Sequence, residues 1–217
     1  MTARACRRVV LVHSSDEMYG SDRIVLQIVE SMPTAVRERC VVALPRDAAG
    51  PGPLARHLAG LGVQVRHRHL PILRRQELKR PLALVVLAWR TLGLARWIRR
   101  QRAAVVYSTT SAAVLALPAA GLAGVGRRLA HVQEVWEPRE ARALSRLVGL
   151  ADDVIVASRA VRDALPPPLR RRARVVHNGV PTPDRPLPAP AVACRPRYLV
   201  ASRWTPRKGH RTLLATR

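Results

Sequence analysis

Near its C-terminus the chain reads ASRWTPRKGHRTLLATR, residues 201–217. Of its 38 lysines and arginines only two are lysine, Lys79 and Lys208. Lys208 stands with Arg207 beside Gly209, at what the pattern predicts to be the start of a helix. The first turn of a helix carries partial positive charge and prefers an anion. Cations are therefore locally unfavourable there unless an anion sits among them. A diphosphate would resolve the conflict, with Arg203 approaching from the preceding strand end and Lys208 acting as a compact point charge. A solvated basic loop in a basic protein accounts for the same residues without a ligand.

Two further stretches carry chemistry. HSSDEMYGSDR (13–23) joins the first predicted strand to the first predicted helix. Gly20 would let the backbone approach a phosphate or sugar, and the helix N-terminus at Ser21 favours an anion. A plain turn explains Gly20 as well, and the dinucleotide fingerprint GxGxxG is absent. LAHVQEVWEP (129–138) puts His131 and Glu134 at a strand end, on the carboxyl edge where ligands of parallel α/β folds sit. A histidine there can bind a sugar hydroxyl or move a proton, although a histidine beside a strand is commonly structural. HRHL (67–70), with His57, lacks nearby carboxylates or cysteines and reads as strand alternation rather than as a metal site. The sequence contains no GxSxG, HExxH, P-loop or EF-hand pattern.

Stepping along the chain, strand and helix patterns alternate. Strands are predicted at 7–15, 40–45, 63–70, 103–110, 127–134, 152–158 and 173–180. Helices are predicted at 21–32, 52–62, 82–100, 111–121 and 139–151, with a short one between the last two strands. Most of the strands are apolar on both faces, which predicts a parallel sheet covered on both sides. VVHNGV (175–180) ends this region, with Asn178–Gly179 as a tight turn. The stretch 181–196 then holds six prolines and reads as an extended linker. A new strand and helix begin at 197–217. The expected organisation is a Rossmann-like doubly wound α/β domain over 1–180, a linker over 181–196, and the first β-α unit of an incomplete second Rossmann-like domain.

Composition bounds the partners. The chain has 217 residues, a formal charge of +24 and 48% hydrophobic residues. So basic a surface attracts phosphates on nucleotides, nucleic acid or anionic lipid. Part of the charge reflects a heavy Ala/Arg/Pro/Val bias that suggests a GC-rich coding sequence. Aromatics are only 3% and the arginines are spread along the chain, which argues against nucleic acid as a partner. Three widely spaced cysteines, Cys6, Cys40 and Cys194, suit a reduced cytoplasmic setting. The apolar run near the N-terminus is too short for a signal peptide. PLALVVLAWRTLGLARWIRR (81–100) is interrupted by arginines and reads as an amphipathic or mostly buried helix rather than a span. Its Trp89, Trp97, Arg99 and Arg100 would also suit peripheral contact with the inner face of a membrane.

The order of motifs resembles the N-terminal part of glycosyltransferase family 4, whose enzymes have the GT-B fold of two Rossmann-like domains. MYGSDR, ADDVIVASRAVRDAL (151–165), VVHNGV and YLVASRWTPRKGHRTLLAT carry the resemblance. It implies transfer of a sugar from a nucleotide-sugar donor to an unknown acceptor, retaining anomeric configuration, with no metal and no other cofactor. By the same resemblance Arg203 and Lys208 hold the donor diphosphate, Gly20 lies near the reacting groups, and His131 stands near the transferred sugar. Glu134 then becomes a candidate contact to acceptor or sugar. Tyr19 replaces the first of the family's usual paired glycines, and the family's C-terminal Glu-x7-Glu motif has no counterpart. The resemblance therefore implies a truncated enzyme; an inactive remnant that binds a membrane surface or a partner is the alternative.

Overall fold

The computed structural model describes residues 7–47, 50–74, 81–180, 200, 202, 204 and 209–215. By its contacts the chain divides into two compact units, 1–180 and 181–217. The first unit holds seven strands: β1 (Arg8–Val12), β2 (Cys40–Pro45), β3 (Gln64–Arg68), β4 (Ala103–Ser108), β5 (Arg127–Val132), β6 (Asp153–Val156) and β7 (Ala173–Val175). They form one sheet in the order β3-β2-β1-β4-β5-β6-β7, and every neighbouring pair is parallel. This is a Rossmann-like α/β fold.

Alternation along the strands explains why both faces must be covered. Leu11, Cys40, Val42, Leu44 and Tyr107 point to one face, where they pack with Val25 and Val29 of α1 (Gly20–Glu30) and Leu54 and Leu58 of α3 (Pro53–Gly60). Val10, Val12, Val41, Ala43 and Val106 point to the other, against Leu94, Ala95 and Ile98 of α4 (Ala83–Arg100) and Ala116, Ala119 and Ala120 of α5 (Ala116–Leu122). On the same side Ala130, Val132, Val154 and Val156 meet α6 (Pro138–Val148), α7 (Arg159–Ala164) and α8 (Pro167–Arg172). A β-strand alternates its side chains and a parallel strand has no wet face, so apolar residues at successive positions require helices on both sides.

The helices follow ordinary chemistry. Proline opens α3, α6 and α8, where its missing N–H is no loss. The Ser158 hydroxyl caps α7 by accepting from the Val161 N–H. Several predicted strands are shorter than expected, and two elements differ most. The helix expected over 111–121 is a tight helical turn, Ser111–Ala113, followed by α5, and β7 stops at Val175 rather than running to 180. A single turn, α2 (Thr34–Arg37), lies between α1 and β2 where none was predicted. At the amino edge of the sheet Arg127 pairs with Asp153 and Arg128 with Asp152, exposed contacts of small energetic weight. Cys40 is a buried free thiol whose pKa burial pushes up to about 12, so it stays protonated and unreactive. Cys6 and Cys194 lie outside the described residues.

In the second unit α9 (His210–Ala215) follows Gly209, whose φ of 69° is the left-handed conformation glycine adopts without strain. The His210 ring stacks on Trp204, and its Nε2 lies 3.0 Å from the Ser202 hydroxyl. The strand predicted from 197 lies almost wholly outside the described residues. No helix among the described residues is long and apolar enough to cross a membrane.

Gly52, just before α3, sits against the loop after β1: a Cβ there would lie 2.0 Å from the Asp16 carbonyl oxygen. At Gly60, at the far end of the same helix, nothing lies within 4 Å of an added Cβ. Gly52→Ala should lower the stability of the fold by about 2 kcal/mol through overpacking. Gly60→Ala should be neutral or slightly stabilising. Denaturant midpoints of the two variants, side by side, measure the difference.

Candidate functional site

The strand order puts β1 beside β4 at the middle of the sheet. The chain leaves β1 for α1 on one face and leaves β4 for α5 on the other. Two connections that part in this way open a crevice at the carboxyl edge, the usual ligand position in open α/β sheets. The loops after β1, β4 and β5 meet there.

The loop after β1 is fixed by two carboxylates. Buried His13 directly follows β1; its Nδ1 lies 2.7 Å from the Thr109 hydroxyl, beyond the end of β4. That hydroxyl donates to the Val12 carbonyl at 3.1 Å, so it accepts its hydrogen bond from the imidazole. The other ring nitrogen, Nε2, meets Asp22 Oδ1 at 3.1 Å. Asp22, in the first turn of α1, also accepts from the Ser15 hydroxyl at 2.7 Å and the Tyr19 N–H at 3.1 Å. Burial works against ionising Asp22, but the hydrogen bonds from His13 and Ser15, the His13 charge and the Glu17 N–H outweigh it. Its carboxyl is held below the usual carboxylate range.

Asp16 anchors the same loop from the other side. It accepts from the Gly52 and Ala55 N–H groups, both at 2.8 Å, and so satisfies the exposed donors at the start of α3. It also pairs with His67 Nε2 at 2.6 Å. The sequence placed no carboxylate near His67; the fold supplies one from 51 residues away.

The β4 and β5 loops are joined to this frame. Thr110 donates to the Ser14 hydroxyl at 3.1 Å. Gln133 donates to the Thr109 carbonyl at 2.8 Å, and the Trp136 indole N–H to the Ser111 hydroxyl at 2.9 Å. The loops at this edge thus carry hydroxyls and amides whose positions are set by one another.

His131, on β5, is 4% exposed. Its Nδ1 lies 2.9 Å from the Tyr107 phenol, with the two rings within 8° of parallel. Burial pulls the imidazole pKa down to about 4 and pushes that of the phenol up, so both are neutral at neutral pH. If Tyr107 donates to Nδ1, the ring proton sits on Nε2. The reverse arrangement would strand the phenol proton as well as Nε2. The first leaves fewer buried groups unsatisfied. His131 Nε2 is buried with no hydrogen-bond partner among the described residues, and in this tautomer it is a hydrogen-bond donor, not a base.

The other predicted residues fall as follows. Gly20 is the first residue of α1, exposed, with nothing within 4 Å of an added Cβ, so the protein itself does not require glycine there. Ser21 follows it, half-buried. Glu134 is exposed on the loop after β5. Arg203 and Lys208 lie outside the described residues. Among the described residues no group of three His, Cys, Asp or Glu side chains is placed to hold a metal ion. Sequence reasoning missed His13, Asp16 and Asp22. Their one local signal was a histidine and two acids crowded into the connection that follows an apolar strand.

Acid should weaken the fold in two steps. The unfolded chain protonates His131 as pH falls through 6.5, while the folded chain refuses that proton until about 4. Asp22 is ionised more readily when folded, so its stabilisation is present above pH 3.8 and is lost as pH falls through its lower folded pKa. Asp22→Asn should cost roughly 3 kcal/mol, because it leaves His13 without its charged partner in a buried site. Chemical denaturation across this pH range measures both. In an NMR titration the His131 ring should stay neutral down to near pH 4; a midpoint at 6.5 would contradict its burial.

The sequence matches no protein-family model, and no curated protein matches it. Among the solved structures similar in fold are the following two. Anabaena HepE, in complex with UDP and glucose, is 16% identical, with a TM-score of 0.59 over 80% of this chain and 45% of its own. The lipopolysaccharide outer core galactosyltransferase WaaB, in its apo form, is 11% identical, with a TM-score of 0.57 over 84% of this chain and 50% of its own. The chain thus spans about half the length of each, and what it shares with them is a Rossmann-like α/β fold.

Proposed function

We propose that the protein transfers a sugar from a nucleotide-sugar donor to an acceptor, as a glycosyltransferase of family 4, with retention of configuration and without a metal or other cofactor. The observation that carries this reading is the carboxyl edge of the sheet, where the β1, β4 and β5 loops meet and the buried His131 at the end of β5 keeps an Nε2–H with no hydrogen-bond partner among the described residues. Its shared fold with HepE and WaaB supports the reading, and the UDP and glucose bound to HepE make a UDP-hexose the first donor to test.

Each residue has a role in the proposal. Arg203 and Lys208 grip the donor diphosphate and stabilise the charge it gains as the bond to the anomeric carbon breaks. The diphosphate departs with that electron pair, and an acceptor hydroxyl oxygen forms the new bond as its proton is released. His131 donates through Nε2–H to the sugar. Gly20 and Ser21 leave the α1 N-terminus open to a polar or anionic substrate group, and Glu134 contacts acceptor or sugar. The protein works in the cytoplasm, in peripheral contact with the inner face of the membrane.

Titration calorimetry with UDP, and transfer assays with radiolabelled UDP-glucose and UDP-galactose, test this on the full chain. Arg203→Ala and Lys208→Ala should each weaken UDP binding by about tenfold, the scale of one charge-assisted contact. His131→Ala should lower transfer while leaving UDP binding nearly unchanged. Wild-type UDP affinity in both cation variants would overturn the donor-site assignment.

A further inference from the structure

Helix α4 covers the sheet with only one side. Leu87, Thr91, Leu94, Ala95 and Ile98 are buried, at spacings of three and four that make one stripe. On the opposite side Val85, Trp89 and Leu92, at the same spacings, are 66%, 74% and 42% exposed. Leu82, Leu84 and Val86 extend this apolar surface around the start of the helix. Towards its C-terminus the outward side becomes basic, with Arg96, Arg99 and Arg100 exposed.

A groove of about 230 Å³ runs beneath Trp89, between α4 and the carboxyl ends of β2 and β3. Arg46, Arg68, Arg90, His67 and His69 line it, and among the described residues no carboxylate does. Arg68 lies over the Trp97 ring, 5.2 Å from its centre. Burial, and the nearby charge of Arg100, lower the Arg68 pKa. A cationic groove bordered by an exposed apolar helix face combines the two features that hold proteins at anionic lipid surfaces: apolar side chains in the acyl boundary and cations among the headgroups.

We propose that the outward face of α4 and the groove beneath Trp89 form a docking surface for an anionic lipid bilayer, with Val85, Trp89 and Leu92 entering the acyl boundary and Arg46 and Arg68 meeting lipid phosphates. The assignment rests on the peripheral membrane contact proposed above and is independent of sugar transfer. The groove opens at the same sheet edge as the crevice, so docking this way brings that edge to the lipid surface. A general attraction between a protein of charge +24 and anionic vesicles does not require α4.

Co-sedimentation of the full chain with vesicles of phosphatidylglycerol in phosphatidylcholine, against phosphatidylcholine alone, separates these ideas. The wild type should sediment with the anionic vesicles only. Val85→Ser with Trp89→Ser leaves the charge unchanged and should weaken binding by about tenfold or more, given the apolar area withdrawn. Arg46→Gln with Arg68→Gln should weaken it comparably, whereas Arg139→Gln with Arg142→Gln on α6, an equal loss of charge, should have little effect. Quenching of tryptophan emission by brominated lipid should fall in Trp89→Phe, which keeps an apolar ring in place and guards against a folding defect in the serine variant. If the wild type binds and the α4 and groove variants bind equally well, this surface is wrong while membrane contact stands. If the wild type fails to sediment with anionic vesicles, the membrane contact falls and this surface with it.

Discussion

Two carboxylates hold the loop that follows the first strand, and the carboxyl edge of the sheet depends on them. Asp22 gathers His13, Ser15 and the Tyr19 N–H. Asp16 gathers the start of α3 and His67. An ionised carboxylate buried among donors is strongly stabilised when every contact is made and costly when one is removed. The loop is therefore held in one arrangement, and the neighbouring loops are set against it through Thr109, Thr110 and Gln133. Removal of Asp22 would loosen three connections at once. The amino edge is built on the opposite principle, with exposed Arg–Asp pairs that contribute little singly. Rigidity is concentrated where a ligand would be bound.

The fold was legible in the sequence because strands buried on both faces leave an unmistakable record. RVVLV, CVVALP and AAVVYS have no polar alternation, and only a parallel sheet between two helical layers accommodates them. The edge strand Gln64–Arg68 alternates, and it is the half-exposed element that pattern predicts. The tight turn at Ser111–Ala113 was not legible, since an Ala/Leu-rich run reads as unbroken helix whether or not its first turn is tighter.

The candidate site was legible only in part. His131 was visible from its place at a strand end. Its tautomer was not, because that depends on Tyr107, which lies 24 residues away. His13, Asp16 and Asp22 are ordinary loop residues until β4 and α3 are brought to them. Helix α4 was legible as amphipathic or mostly buried, and of these the structure shows the first: burial takes only one of its sides. What α4 shows to solvent is a property of the fold's outer layer, which has no neighbour at that point among the described residues.

The His13–Thr109 contact joins residues 96 apart in sequence. Strand β1 lies inside the sheet, beside the central strand β4, and β4 is made only after three β-α units have passed. Closing so long a loop costs chain entropy before any contact returns it. During synthesis, then, the crevice cannot form as its first wall emerges. Until β4 leaves the ribosome, His13 has no hydroxyl to meet and the loop after β1 lacks one side of its frame. The centre of the sheet is thus assembled late, from its first strand and one that follows about a hundred residues behind.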